Sequence, residues 1–229
     1  MRDIVLRELE LAPRWKLRGA GRVAHSAPAP SSVEDVAGMD WEALRQAVTT
    51  CTACPLHATR TQGVPGVGDI HADWLFVGEA PGAEEDIQGE PFVGAAGKLL
   101  DAMLAAIHLR RGDNVYIANV LKSRPPGNRN PKPEEITACL PYLERQVQLI
   151  QPKLMIALGR FAAHTLLDTD ASISSLRGQV HQYQGIPLIV TYHPAYLLRN
   201  LPDKARAWED LCLAVTTMQD LLKQSVVTI

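Results

Sequence analysis

The feature that most constrains this chain is a rhythm. Short apolar runs alternate with stretches of helical spacing, and a polar motif stands at or just beyond the end of three of the runs. Trp74–Val77 is a strand-length apolar run that stops at Gly78. The segment 94–109 follows, with Leu99, Leu100, Met103, Leu104 and Ile107 at helical spacing. Val115–Val120 reads as a second strand. Pro133–Ile150 reads as a helix opened by proline and acids, with Pro141 predicting a kink or interruption. Leu154–Leu158 predicts a third strand, followed by a helix to about Leu167. Val180–Tyr183 and Pro187–Val190 predict a hairpin around Gly185, and Pro202 opens a last helix to about residue 224. This alternation predicts an α/β fold: a three-layer α/β/α sandwich on a mostly parallel central sheet. In such sheets ligands sit beyond the carboxyl ends of the strands. Glu79, Asn119 and His193 all fall there, so one shared pocket is expected.

With 229 residues, 46% of them hydrophobic, the chain can bury one good core. No run of about 18 apolar residues is present to span a membrane, and no secretory segment opens the chain. The expectation is a cytoplasmic, nucleoid-associated bacterial protein that is monomeric apart from its partners. Four cysteines then point to metal or structural roles before disulfides. The net charge of −2 excludes a strongly basic, non-specific DNA coat. It leaves room for a local phosphate-binding patch, and Lys122, Arg124, Arg129 and Lys132 supply one. Three segments are expected: an amphipathic docking peptide at 1–17, a flexible linker at 18–39, and a folded domain at 40–229. Asp40 is placed to cap that domain's first helix, through Gln46.

Four strings carry a resemblance. They are Gly78-Glu-Ala-Pro-Gly82, Pro91-Phe-Val-Gly-x-Ala-Gly-x-Leu-Leu100, Asn119-Val-x-Lys-x-Arg-Pro-Pro-Gly-Asn-Arg-x-Pro131 and His193-Pro-Ala-Tyr-Leu-Leu-Arg199. In order and spacing they resemble the family 4 uracil-DNA glycosylases over about residues 45–222. The resemblance implies the glycosylase α/β sandwich and an enzyme that flips uracil from DNA and hydrolyses its glycosidic bond.

The residues suit that chemistry. Uracil must leave the stack, be told from cytosine by its edge, and depart as an anion from a cationic sugar. Phe92 can stack on the flipped base. The Asn119 amide can accept from uracil N3–H and donate to O4, a pattern that cytosine reverses. Neutral His193 can donate to the charge developing on O2. Glu79 can orient water or counter the sugar's charge. Gly78 and Ala80 bring backbone to the base, and Glu85 matches a family position near the ring. Arg199 is expected near DNA with Lys122, Arg124 and Arg129.

The same resemblance implies an iron–sulfur cluster on four cysteines. Cys51-x-x-Cys54 forms the first half, Cys139 fits the last ligand, and Ser123 stands where the third belongs. Three outcomes are open: a cluster completed by Ser123, water or another group; a three-iron form on Cys51, Cys54 and Cys139; or a metal-free, thiol-packed corner. Residues 2–18, with Leu6, Leu9, Leu11, Trp15 and Leu17, resemble the N-terminal peptide of the psi subunit of the DNA polymerase III clamp loader. That implies tethering to the replisome. An alternative expectation is a non-catalytic glycosylase fold serving as a clamp-loader adaptor.

Overall fold

The computed structural model describes residues 36–227. The expected docking peptide and all but the end of the expected linker lie outside the described residues. Among the described residues no helix is long and apolar enough to cross a membrane.

Helix α1 (Trp41–Thr50) opens the described fold. Asp40 caps it by accepting from Ala43 N–H at 2.9 Å. The helix runs one turn past its expected end, because Leu44, Ala47 and Val48 keep an apolar face on the core. The chain continues through β1 (Val67–Gly68), β2 (Trp74–Gly78), α2 (Ala83–Gln88), α3 (Ala95–Ala106), β3 (Val115–Asn119), α4 (Pro133–Ile150), β4 (Leu154–Leu158) and α5 (Arg160–Leu167). It ends with α6 (Ile173–Leu176), β5 (Val180–Tyr183), β6 (Ile186–Thr191), α7 (Pro194–Leu197) and α8 (Asp203–Val227). The six strands form one sheet in the order β1-β3-β2-β4-β6-β5. Its four central strands are parallel, and the short edges β1 and β5 are antiparallel.

Strand alternation splits the core. Leu75 and Val77 point with Ala118, Ala157 and Val190 toward α4 and α5. Trp74 and Phe76 point with Ile117, Ile156 and Ile189 toward α3 and α8. Each fully buried aliphatic or aromatic side chain contributes roughly 1.5–3 kcal/mol by leaving water. Burial on both faces explains why β2, β3 and β4 read as unbroken apolar runs. The β5–β6 hairpin turns through Gln184 and Gly185, both left-handed at φ 49° and 81°.

One local expectation changes. The segment with Pro141 runs as one helix from Pro133 to Ile150. Cys139, Tyr142, Leu143, Gln146 and Val147 are buried on both sides of the proline, so packing overrides its missing N–H. The acidic residues Glu84, Glu85 and Asp86 lie in α2, where Glu84 is exposed and Asp86 is buried. Asp86 is 3% exposed and accepts from Thr61 N–H (2.9 Å) and Thr61 Oγ (2.9 Å), tying α2 to the loop after residue 58.

Asp86→Ala leaves the Thr61 donors without their carboxylate. It is expected to cost about 2–3 kcal/mol and to lower the melting temperature by roughly 4–12 °C, read by calorimetry. An unchanged melting temperature would show that water replaces the carboxylate at no cost.

Candidate active site

The carboxyl ends of β2, β3, β4 and β6 surround a cavity of about 950 Å³. Glu79 follows β2, Asn119 ends β3, Arg160 follows β4, and His193 follows β6 by two residues. All four line it with Phe92 and Arg199. The three separated motifs therefore do meet in one place.

A missing side chain allows the closest approach. A Cβ on Gly78 would stand 2.4 Å from Asn119 Oδ1 and 2.5 Å from the Phe92 ring. Only glycine lets ring and amide share that space. A second glycine acts alike across the pocket. Gly159 is left-handed at φ 91°, and a Cβ there would stand 2.6 Å from His193 Cβ.

Phe92 is 4% exposed and sits in the left-handed region at φ 56°, a strained place for an aromatic residue. Arg111 holds it there, donating to Pro91 O at 2.8 Å and Phe92 O at 2.7 Å, and pairs with Asp101 at 3.0 Å. Glu85 helps from the other side. Its carboxylate accepts from Gly82, Val93 and Gly94 N–H at 3.1, 3.0 and 3.2 Å. Both of its oxygens thus brace the loop, although the side chain does line the cavity.

Asn119 is 2% exposed, and its Oδ1 is buried without a hydrogen-bond partner. An orphaned buried acceptor costs about 1–3 kcal/mol, and a ligand donor relieves that cost. Beneath it, Lys122 Nζ donates to Asn119 O at 2.7 Å and to Gln146 Oε1 at 2.6 Å. This corrects the expected phosphate role of Lys122. The side chain is 1% exposed, and burial lowers its pKa to about 7. Its place is behind the pocket wall, because the stem follows β3 inward.

His193 accepts from Ala195 N–H at Nδ1, 3.1 Å away, as it caps α7. Its ring proton is therefore on Nε2. Burial lowers its pKa to about 4, aided by the Arg199 charge and opposed by Glu85, so it is neutral at pH 7. Its ring lies 5.5 Å from that of Phe92. Behind it, Thr191 and Arg177 both bond Asp210, at 2.8 and 3.0 Å, fixing the end of β6 to α8. Burial raises the Glu79 carboxyl to about 7, with Arg160 pulling it down.

Of the other expected cations, exposed Arg199 lines the cavity. Arg124 donates to Asn128 Oδ1 at 2.7 Å, and Arg129, which also lines the cavity, pairs with buried Glu135 through Nη1 at 2.9 Å. Arg111, Gln146 and Arg160 belong to no sequence motif, because each acts through contacts distant in the chain.

The four residues expected at the cluster occupy one buried corner away from this cavity. Cys51 receives Tyr142 O–H at 3.3 Å, Cys139 receives Lys122 N–H at 3.5 Å, and Cys54 packs with Cys139 in one core cluster. Arg60 donates to the Ser123 hydroxyl. Among the described residues no three His, Cys, Asp or Glu side chains gather as a group able to hold a metal ion. Three thiols and an engaged hydroxyl do not fit a cluster that takes four thiolates.

Residues 65–212 match the uracil DNA glycosylase superfamily. The chain is 52% identical over 159 residues to the type-4 uracil-DNA glycosylase of Archaeoglobus fulgidus, covering 66% of this chain and 79% of that protein. It is 46% identical to the type-4 enzyme of Thermotoga maritima, covering 72% and 86%. It is 32% identical to the type-5 uracil-DNA glycosylase of Thermus thermophilus, covering 68% and 87%.

The half-buried Glu79 carboxyl makes stability depend on pH. Its folded pKa lies above the unfolded value, so its contribution is full below the ordinary carboxylate range and is lost as pH rises through about 7. Glu79→Gln is expected to melt roughly 2–6 °C above wild type near pH 8 and alongside it near pH 4. Equal melting at both pH values would show that Glu79 is solvated.

Proposed function

The chain belongs to the type-4 uracil-DNA glycosylases of the uracil DNA glycosylase superfamily, and from that membership we propose that it takes uracil flipped from DNA and hydrolyses the bond to deoxyribose. The single observation that carries the reading in this chain is the orphaned Asn119 Oδ1, buried beside the Phe92 ring. Uracil N3–H is the donor it lacks.

In this reading the base stacks on Phe92, and Asn119 reads its edge. Uracil offers N3–H to Oδ1 and O4 to the amide NH2. Cytosine offers an acceptor at N3 and a donor at C4, leaving buried groups unpaired. The C1′–N1 bond breaks with its electron pair leaving on uracil. Charge developing at O2 meets the Nε2–H of His193, which is preset because Nδ1 is already bonded. Glu79, ionised, opposes the positive sugar and holds the water that adds at C1′. Arg199, Arg124 and the exposed face of Arg160 meet the phosphates. The basic loop and Arg199 thus give DNA contact to a chain whose net charge is negative.

Residues 1–17 add a tether to the replisome through the clamp loader. The support is the psi-like pattern of leucines and Trp15 ahead of a linker-like sequence. Clamp-loader subunits retained by the full chain and lost from a chain lacking residues 1–17 would support it. Equal retention would remove it. If the full chain bound them but released no uracil, the adaptor alternative would hold.

The wild-type protein is expected to release uracil from a uracil-containing oligonucleotide. His193→Ala and Asn119→Ala are each expected to lower the rate about 100- to 1000-fold. The rate should rise with pH through about 7 as Glu79 ionises, and this rise should vanish in Glu79→Gln. Folded wild-type protein that releases no uracil would refute the reading.

A further inference from the structure

The corner where relatives of this sequence pattern are expected to place a cluster is already tied, and a side chain does the tying. Arg60 is half-buried between two chain segments. Its Nη2 donates to Thr49 O at 3.1 Å and Cys51 O at 2.6 Å, and its Nη1 donates to the Ser123 hydroxyl. It thus joins the end of α1 to the loop after β3. Those are the segments that ligands at positions 51 and 123 would join. Ser123 is 2% exposed, so its oxygen has little access to water and needs such a donor.

Two of the three thiols take hydrogen bonds from the protein itself. Tyr142 O–H and Ala53 N–H serve Cys51, at 3.3 and 3.4 Å. Cys139 takes Lys122 N–H and packs in one core cluster with Cys54. A serine hydroxyl is a hard, weakly acidic donor, poorly matched to iron–sulfur chemistry at neutral pH.

We propose that in this chain the Arg60 guanidinium, bridging Thr49 and Cys51 carbonyls to the Ser123 hydroxyl, closes the cysteine corner in place of an iron–sulfur cluster. A planar cation with several donors can satisfy three oxygens on two segments at once. The tie is organic, so it needs no iron supply and is indifferent to oxygen. It also lies off the catalytic pocket, so the inference stands or falls separately from glycosylase activity.

The test uses full-length protein purified without oxygen and then treated with iron, sulfide and thiol. Wild type is expected to stay colourless, with no stoichiometric iron or acid-labile sulfide. Ser123→Cys is expected to turn brown and to bind both. Arg60→Met is expected to melt about 4–8 °C below wild type, from the loss of charge-assisted hydrogen bonds. Ser123→Ala, which removes one acceptor, should fall less, and it serves should Arg60→Met fail to fold. Stoichiometric iron and sulfide in wild type would overturn the proposal. So would a colourless Ser123→Cys, or melting temperatures unchanged in both Arg60→Met and Ser123→Ala.

Discussion

The pocket depends on one close approach at the end of β2. Gly78 has no side chain, and into that space come the Phe92 ring from the loop before α3 and the Asn119 amide from the end of β3. Everything else holds this arrangement in register. Parallel pairing sets Gly78 beside Asn119. Beyond the strands, Val120 N–H and Leu121 N–H bond the Gly78 and Glu79 carbonyls, both at 3.0 Å. Lys122 and Gln146 support Asn119 from behind, and Arg111 fixes the loop that carries Phe92. A methyl group at Gly78 would collide with the ring and the amide at once.

Much of this was legible in the sequence. Strands buried on both faces must be continuous apolar runs, so β2, β3 and β4 stand out. Polar residues at or just beyond their ends had few other places to point than the common pocket. The illegible parts share a physical cause. Glu84, Glu85 and Asp86 look like a solvated acidic run, yet two of them are spent on backbone N–H groups far along the chain. Lys122 looks like one member of a basic patch, yet its stem turns inward after β3 and ends on Gln146. Charge tells which groups need partners; only tertiary contact tells where the partners are. Arg111 lies in a turn with no pattern around it, and nothing local marks it as the residue that locks Phe92.

The pocket also separates its titratable groups. His193 and Glu79 are both desolvated, and the same force moves their pKa values in opposite directions. The imidazole becomes a fixed neutral donor, and the carboxyl is left near its midpoint at pH 7. Two side chains whose ordinary pKa values both lie below neutrality are thus set to different charge states, chiefly through burial. The arrangement needs no strong ion pair inside the cavity, which suits a site that must first admit an uncharged base.

The left-handed Phe92, clamped by Arg111 and Glu85, has a consequence for selection. In the proposed function Phe92 is braced before any DNA arrives, so the protein spends little order of its own when a base enters. Deformation falls on the polymer instead: a nucleotide must unstack and swing out to meet a receptor that will not bend toward it. Lesions in weakly paired or single-stranded stretches pass that hurdle most readily. A preformed slot of this kind filters nucleotides by how easily the helix lets them go before it reads their chemistry.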